Sequence, residues 1–308
     1  MPEDLRQKFK RNGYVLLPGV LSPAEIAAIR ERMPENFDKL THIPKTYLQA
    51  RECLKIPEVY RLMTHPRIVE ACKAIFGKQL IYVNDLVVQR NVLPPTPTSP
   101  HLDCQAEYRS LEDTSHLLDP DFLFAKVGIY LQDNTAETGG GIDVFERGHR
   151  WIGNGIFFRY QIYKRILRPL MARRMKRLET KAGDVLIFDC RLPHRSTFAE
   201  ALRNTEHNDD NIIVPEELAK YTIYWEVTKA GDEQRFVTAM MTRARKEELK
   251  KPPGTYRPRC SYLGLVYPDD YPSEMVDAFR KFDISMFTLA REEAEGWTRA
   301  FLGQEVTK

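Results

Sequence analysis

Apolar and polar positions change their spacing twice along this chain. Up to about residue 78 the spacing is mostly helical. Residues 3–11 predict a short helix and 13–18 a short strand. Ser22-Pro23-Ala24-Glu25 opens a second helix, with Ser22 as N-cap, proline in the first turn and Glu25 closing a capping box. Ile26, Ile29 and Met33 give that helix its apolar stripe. Two more helices are predicted over 57–63 and 66–76, the second stopping at Gly77. From about residue 79 to 228 the pattern becomes short β runs broken by proline and glycine: 80–92, 122–132, 142–146, 184–189 and 221–227. Helical spacing returns at 232–249, 272–281 and 287–302. Many strands after leading helices predict a mainly β fold with flanking helices, a jelly-roll or double-stranded β-helix core. No repeat or low-complexity linker interrupts it, so 1–308 reads as a single domain with a β core at 79–228 and C-terminal helices at 229–308.

Composition narrows the setting. The chain has 308 residues, 43% of them hydrophobic, enough for a large core. Cys53, Cys72, Cys104, Cys190 and Cys260 are odd in number and show no Cys-x-x-Cys spacing. This argues against a disulfide framework or a zinc ribbon and for a reducing compartment. The polar start and the lack of any apolar run near ~18 residues predict a soluble, cytoplasmic protein without a transmembrane segment. A net charge of +3 and the lack of a nucleic-acid motif argue against a nucleic-acid partner. The sequence does not settle the oligomeric state.

The candidate chemistry begins at His101-Leu102-Asp103. On a strand, residues two apart share a face, so this imidazole and carboxylate point the same way. They need one more ligand to form the two-histidine, one-carboxylate site that holds Fe(II) and keeps coordination positions open. His194 is the third candidate; it follows the turn and apolar strand at 181–189 and precedes Arg195-Ser196-Thr197. Between the two histidines lie a strand, a polar turn, the glycines Gly139-Gly140-Gly141, another strand, and Gly148-His149.

This order resembles the phytanoyl-CoA dioxygenase family of non-haem Fe(II)- and 2-oxoglutarate-dependent oxygenases. The matching segments are His101/Asp103, 137–141, Gly148-His149, 183–188 and His194, together with the opening at 9–26. The resemblance spans roughly 8–30 and 80–228. It implies Fe(II), 2-oxoglutarate and O2 as cofactors, with ascorbate as a supporting reductant, and His101, Asp103 and His194 as catalytic metal ligands. It also implies hydroxylation of an unactivated C–H bond, with release of succinate and CO2. Related halogenases replace the carboxylate ligand by a small residue, so Asp103 favours hydroxylation, or another oxidation, over halogenation. The resemblance places Ser196 at the distal carboxylate of 2-oxoglutarate. The family's usual arginine there has no direct counterpart, because a polar insertion at 200–218 intervenes. Lys220, just before the last core strand, and Arg203, inside the insertion, are the two candidates, and topology favours Lys220. Gln89 and Tyr130 are further cofactor-side candidates and Asn84 a substrate-side one; each also reads as an ordinary core or rim residue. His149 reads as part of a structural turn.

Residues 155–178 form a basic, apolar insert with no acid before Glu179. Phe158, Ile162, Ile166 and Leu170 fall at helical spacing, and Pro169 should kink or break the helix. The insert has three readings: a lid over an anionic substrate, a surface in peripheral contact with a membrane, or a helix packing its stripe on the core. The first places Arg159 and Arg165 at the substrate, which would be phosphorylated, carboxylated, CoA-linked or a lipid-linked sugar. Two other functions remain open: a non-redox, cupin-like metalloenzyme and an inactive barrel used as a binding module.

Overall fold

A computed structural model describes residues 4–39, 47–91, 99–104, 115–152, 163–200, 219–232 and 265–287. The chain divides into two compact units, each made of two stretches: 1–26 with 90–222, and 27–89 with 223–308.

The first unit opens with α1 (Leu5–Asn12), capped by the Asp4 side chain and ended by Gly13 at φ 85°. It continues into β1 (Tyr14–Leu17). β1 pairs antiparallel with β7 (Val185–Asp189), and β7 pairs antiparallel with β4 (Phe124–Tyr130). β7 is buried along its whole length, as the apolar run Val-Leu-Ile-Phe predicts. A second, three-stranded sheet runs β6 (Lys176–Leu178), β5 (Ile142–Val144), β8 (His194–Ser196), all antiparallel, and α6 (His149–Ile152) follows β5 in the chain. The Gly183-Asp184 turn ties the start of the chain to the sheet. Gly183 sits at φ 87° and its carbonyl accepts from Val20 and Leu21 N–H, while the Asp184 carboxylate accepts from Gly19 and Lys181 N–H. A Cβ on Gly183 would lie 2.6 Å from the Leu21 carbonyl oxygen, so glycine is required there.

The second unit holds most of α2 (Pro23–Asp38), then β2 (Tyr47–Leu48), α3 (Ala50–Cys53), α4 (Pro57–Tyr60) and α5 (Pro66–Phe76). β3 (Leu80–Asn91) follows, and β9 (Lys220–Lys229) lies beside it. After α8 (Ser273–Lys281), β10 (Ile284–Phe287) pairs parallel with β3. Tyr82, Trp225 and Phe279 form its aromatic core, with Phe279 edge-on to Tyr82 at 5.6 Å. The capping box at Ser22 is present: Glu25 Oε2 accepts from Ser22 N–H at 2.8 Å, and Ser22 Oγ accepts from Glu25 N–H at 3.3 Å.

The mainly β fold with flanking helices is as expected, although the described strand pairings do not amount to a closed barrel. Four short strands, β2, β6, β8 and β10, were not expected, because two to four residues carry too little periodicity to read. β10 takes the first residue expected of a helix at 287–302; the rest of that helix, and nearly all of the one at 232–249, lie outside the described residues. The insert departs further. Phe158 and Ile162 lie outside the described residues, while 163–167 wind as a π turn into α7 (Arg168–Arg173), with Pro169 in its first turn. Ile166 and Leu170 are 61% and 36% exposed, so this part of the stripe does not pack on the core.

Asp189 and Arg191 fasten the far end of β7. Arg191 makes three hydrogen bonds to the Asp189 carboxylate, from its backbone N–H at 2.8 Å and its guanidinium at 2.9 and 2.7 Å, and donates to the carbonyls of Leu117, Asp119 and Phe122. Burial raises the Asp189 carboxyl's pKa, but the Arg191 charge outweighs it and holds the group below its usual range. The carboxylate therefore adds stability above its unfolded pKa of about 4, and that stability is lost as pH falls through the lower folded value. Replacing Asp189 by Asn leaves a buried guanidinium without its counter-charge and is expected to cost about 3–5 kcal/mol in urea denaturation at pH 7. The penalty should shrink in acid; an unchanged denaturation midpoint at pH 7 would contradict this role.

Candidate metal centre

β8 carries the distal histidine and is held on both sides. On one side β5 pairs with it, Val144 opposite His194 and Ile142 opposite Ser196. On the other side His101 bridges it: His101 N–H donates to the His194 carbonyl at 2.9 Å, and His194 N–H donates to the His101 carbonyl at 3.0 Å. Residues directly opposite in an antiparallel pair project to the same side. The two imidazoles accordingly lie 4.4 Å apart between ring centres, tilted by 55°. Asp103 stands two residues beyond His101 and is anchored by the next residue, whose N–H donates to the Cys190 carbonyl at 3.1 Å. One donor atom from each of His101, Asp103 and His194 lies within 4.8 Å of the others. Donors sharing one ion at roughly 2.1 Å stand about 3 Å apart when adjacent, so small side-chain rotations close the cluster on a metal.

The surroundings prepare each ligand. His194 Nδ1 lies 2.9 Å from the Leu192 carbonyl, to which it donates. That bond fixes the tautomer and turns the Nε2 lone pair toward the site. Nε2 is 3.6 Å from Asp103 Oδ1. Phe188 on β7 meets the His194 ring edge-on at 5.0 Å. The other Asp103 oxygen, Oδ2, is 3.1 Å from Lys126 Nζ on β4. Burial raises the Asp103 pKa, but Lys126 and the two imidazoles outweigh it and hold the carboxyl well below its usual range. Asp103 is therefore an anion, as a ligand must be. His194 is buried and Asp103 half-buried, whereas His101 is exposed, so the site opens on its His101 side.

The opposite face of β8 carries a different chemistry. Arg195 Nε donates to Asp143 Oδ2 at 3.0 Å and Thr197 Oγ1 donates to Asp143 Oδ1 at 3.0 Å. Arg177 on β6 approaches the same carboxylate at 3.6 Å. Asp143 is 3% exposed and lies between two cross-strand arginines. A one-residue slip of β8 would bury Arg195 in the site and expel His194, so this cluster supports the register that the histidine needs.

Other expected residues fall out as follows. Ser196 shares the His194 face and is exposed. Tyr130 is fully buried on β4, on the Lys126 face. Lys220 Nζ donates to the Thr138 hydroxyl and Gly139 carbonyl at 2.8 Å and to the Asp133 carbonyl at 3.0 Å, with Asn134 Oδ1 at 3.4 Å. Burial lowers its pKa to about 8. The Lys220 stem passes over Gly140, where a Cβ would come within 2.3 Å of its Cδ, and Gly140 N–H donates to the Thr197 carbonyl. Lys220 therefore stands at the end of the β5–β8 ladder with its donors engaged by the 133–139 loop. Gln89 is half-buried on β3 in the second unit, where Asn84 also lies; the Asn84 side chain is outside the described residues. Arg203 and Arg159 are outside them as well, and Arg165 is exposed. His149 packs its Nδ1 against Gly13 and sets Nε2 3.0 Å from the Lys10 carbonyl.

Lys126 and Asp143 were not singled out from the sequence. The signal was a single charge inside each of two otherwise apolar strands, a pattern that is costly unless the charge is paired. Substituting His101 or Asp103 by Ala is expected to lower Co(II) affinity by at least about a hundredfold while leaving the melting temperature within a few degrees. Calorimetric titration of both variants checks this; unchanged affinity in either would remove that residue from the ligand set.

A sequence model described as phytanoyl-CoA dioxygenase (PhyH) matches residues 9–199. No curated protein matches the sequence significantly. Among solved structures, the alpha-ketoglutarate-dependent epimerase SnoN from nogalamycin biosynthesis aligns at 19% identity and TM-score 0.47, over 73% of this chain and 81% of its own. The carbocyclase SnoK from the same biosynthesis aligns at 19% and 0.48, over 75% and 85%. HygX from Streptomyces hygroscopicus, solved with nickel and 2-oxoglutarate bound, aligns at 16% and 0.48, over 75% and 88%. With the family's pattern matched from α1 through the distal histidine, this chain belongs to the phytanoyl-CoA dioxygenase (PhyH) family.

Proposed function

We propose that this protein is an Fe(II)- and 2-oxoglutarate-dependent oxygenase that hydroxylates an unactivated C–H bond of a small or conjugated anionic molecule. The carrying observation is the cluster itself: two imidazoles paired across one β-bridge and a carboxylate on the turn that follows His101, with His194 oriented by the Leu192 carbonyl. This donor set suits Fe(II) and leaves positions for other ligands. His101, Asp103 and His194 would hold the metal, which with bound 2-oxoglutarate supplies the oxidising chemistry and yields succinate and CO2. The protein's part is to fix the ligand geometry, keep Asp103 ionised and admit substrate from the His101 side.

Two observations support an anionic substrate entering there. Arg168, at the start of α7, donates to the Pro100 carbonyl at 3.2 Å, one residue from His101. The end of the basic insert thus lies at the open edge of the site. Arg165 is exposed on the preceding turn, and 155–178 bring cations with no acid. Among the described residues no helix is long and apolar enough to cross a membrane.

For the distal carboxylate of 2-oxoglutarate we retain Lys220 ahead of Arg203. It lies at the end of the ladder that carries His194 and Ser196, and it would exchange the Thr138 and Gly139 oxygens for the carboxylate. The same engagement of Lys220 favours a second reading, a metalloenzyme that uses no 2-oxoglutarate. Succinate formation in the presence of Fe(II) and ascorbate separates the two. Under the first reading 2-oxoglutarate is consumed slowly even without substrate, and EDTA stops it. Lys220→Ala is then expected to raise the half-saturating 2-oxoglutarate concentration about tenfold or more, equivalent to about 1.4 kcal/mol. Arg203→Ala is expected to leave it nearly unchanged. The reverse order would move the anchor to Arg203, and no succinate at all would favour the second reading.

A further inference from the structure

Lys126 has no place in the chemistry described so far. It is the one charged residue of β4, and it is held by strand pairing directly opposite Phe188, the residue whose ring backs His194. The two side chains leave the same face of the sheet, one toward a histidine and the other toward the carboxylate. Asp103 divides its oxygens between them: Oδ1 faces His194 Nε2 at 3.6 Å, and Oδ2 faces Lys126 Nζ at 3.1 Å. Asp103 and Lys126 side chains are only 16% and 19% exposed, so water competes weakly for this pair.

We propose that Lys126 is a positioning residue that keeps Asp103 a one-oxygen ligand by occupying its second oxygen. The inference rests on the proposed metal and 2-oxoglutarate reading. A six-coordinate ion held by three protein atoms has three positions left. A keto acid bound through a carboxylate and a keto oxygen takes two, and one remains for O2. A carboxylate binding through both oxygens would take one of those three. Nothing in an aspartate prevents this, since carboxylates ligate in either mode. An ion pair with a lysine on a paired strand does prevent it, because the ammonium, 3.1 Å from Oδ2, holds that oxygen away from the ion. Arginine could hold the same oxygen, whereas methionine keeps the volume and removes the donor.

The test uses the full chain loaded with Mn(II), which binds without turnover, and 2-oxoglutarate titrated by calorimetry. Lys126→Met is expected to lose about tenfold to a hundredfold in 2-oxoglutarate affinity while binding Mn(II) as tightly as wild type or more tightly. Lys126→Arg is expected to recover most of that loss. The visible spectrum of the Co(II)-loaded protein supplies an independent readout: its shift on adding 2-oxoglutarate should be diminished in Lys126→Met and restored in Lys126→Arg. A Lys126→Met protein that melts lower but binds 2-oxoglutarate like wild type would make the pair merely structural and overturn the proposal. Lost Mn(II) binding in Lys126→Met would also overturn it, since the carboxylate would then have depended on Lys126 for ligation itself. Wild-type protein that takes up Mn(II) but never 2-oxoglutarate would instead overturn the functional reading on which this inference stands.

Discussion

Two backbone hydrogen bonds between His101 and His194 set the rest of this site in place. They join residues 93 positions apart in a reciprocal antiparallel pair, and that pairing alone decides that both imidazoles project to one side. Asp103 follows two residues along the same stretch, held there by the Cys104 N–H to Cys190 carbonyl bond and by Lys126. A metal site built this way needs only one register to be correct. The neighbouring architecture can be understood as protection of that register: β5 on the other edge of β8, the Asp143–Arg195 pair on its far face, and Phe188 against the His194 ring.

The charges around the site follow one logic. Three anions in and near the site each have a cation drawn from a neighbouring strand or turn: Asp103 with Lys126, Asp143 with Arg195, Asp189 with Arg191. Such pairs are weak sources of net stability, since desolvation offsets most of the attraction. Their value lies in geometry, because each fixes a side chain that a purely apolar contact would leave free to rotate. Lys126 differs from the others in sharing its partner with the candidate metal cluster.

Much of this was legible in the sequence. The grouping of His101, Asp103 and His194 could be read because the segments between them follow a recognisable order, although 101–104 form an isolated bridge and a turn and not the strand that the His-x-Asp spacing assumed. The helices at 66–76 and at Pro23 were legible from their caps, and β7 from its unbroken apolar run. What could not be read depended on partners distant in sequence. Lys126 and Asp143 looked like isolated charges until the fold supplied Asp103 and Arg195. Lys220 was placed at the right strand start, but the loop oxygens that occupy it belong to 133–139, far upstream. The stripe in the basic insert suggested a packed helix, yet Ile166 and Leu170 are exposed, since periodicity shows which residues share a face and not whether anything covers it.

The central claim is that His101, Asp103 and His194 hold Fe(II) in a form that 2-oxoglutarate can chelate. The most direct measurement is an anaerobic titration of the Fe(II)-loaded protein with 2-oxoglutarate, followed in the visible for the weak charge-transfer band of the chelate. A saturable band is expected in the wild type and none in His194→Ala. Bound iron that shows no band at any 2-oxoglutarate concentration would contradict it.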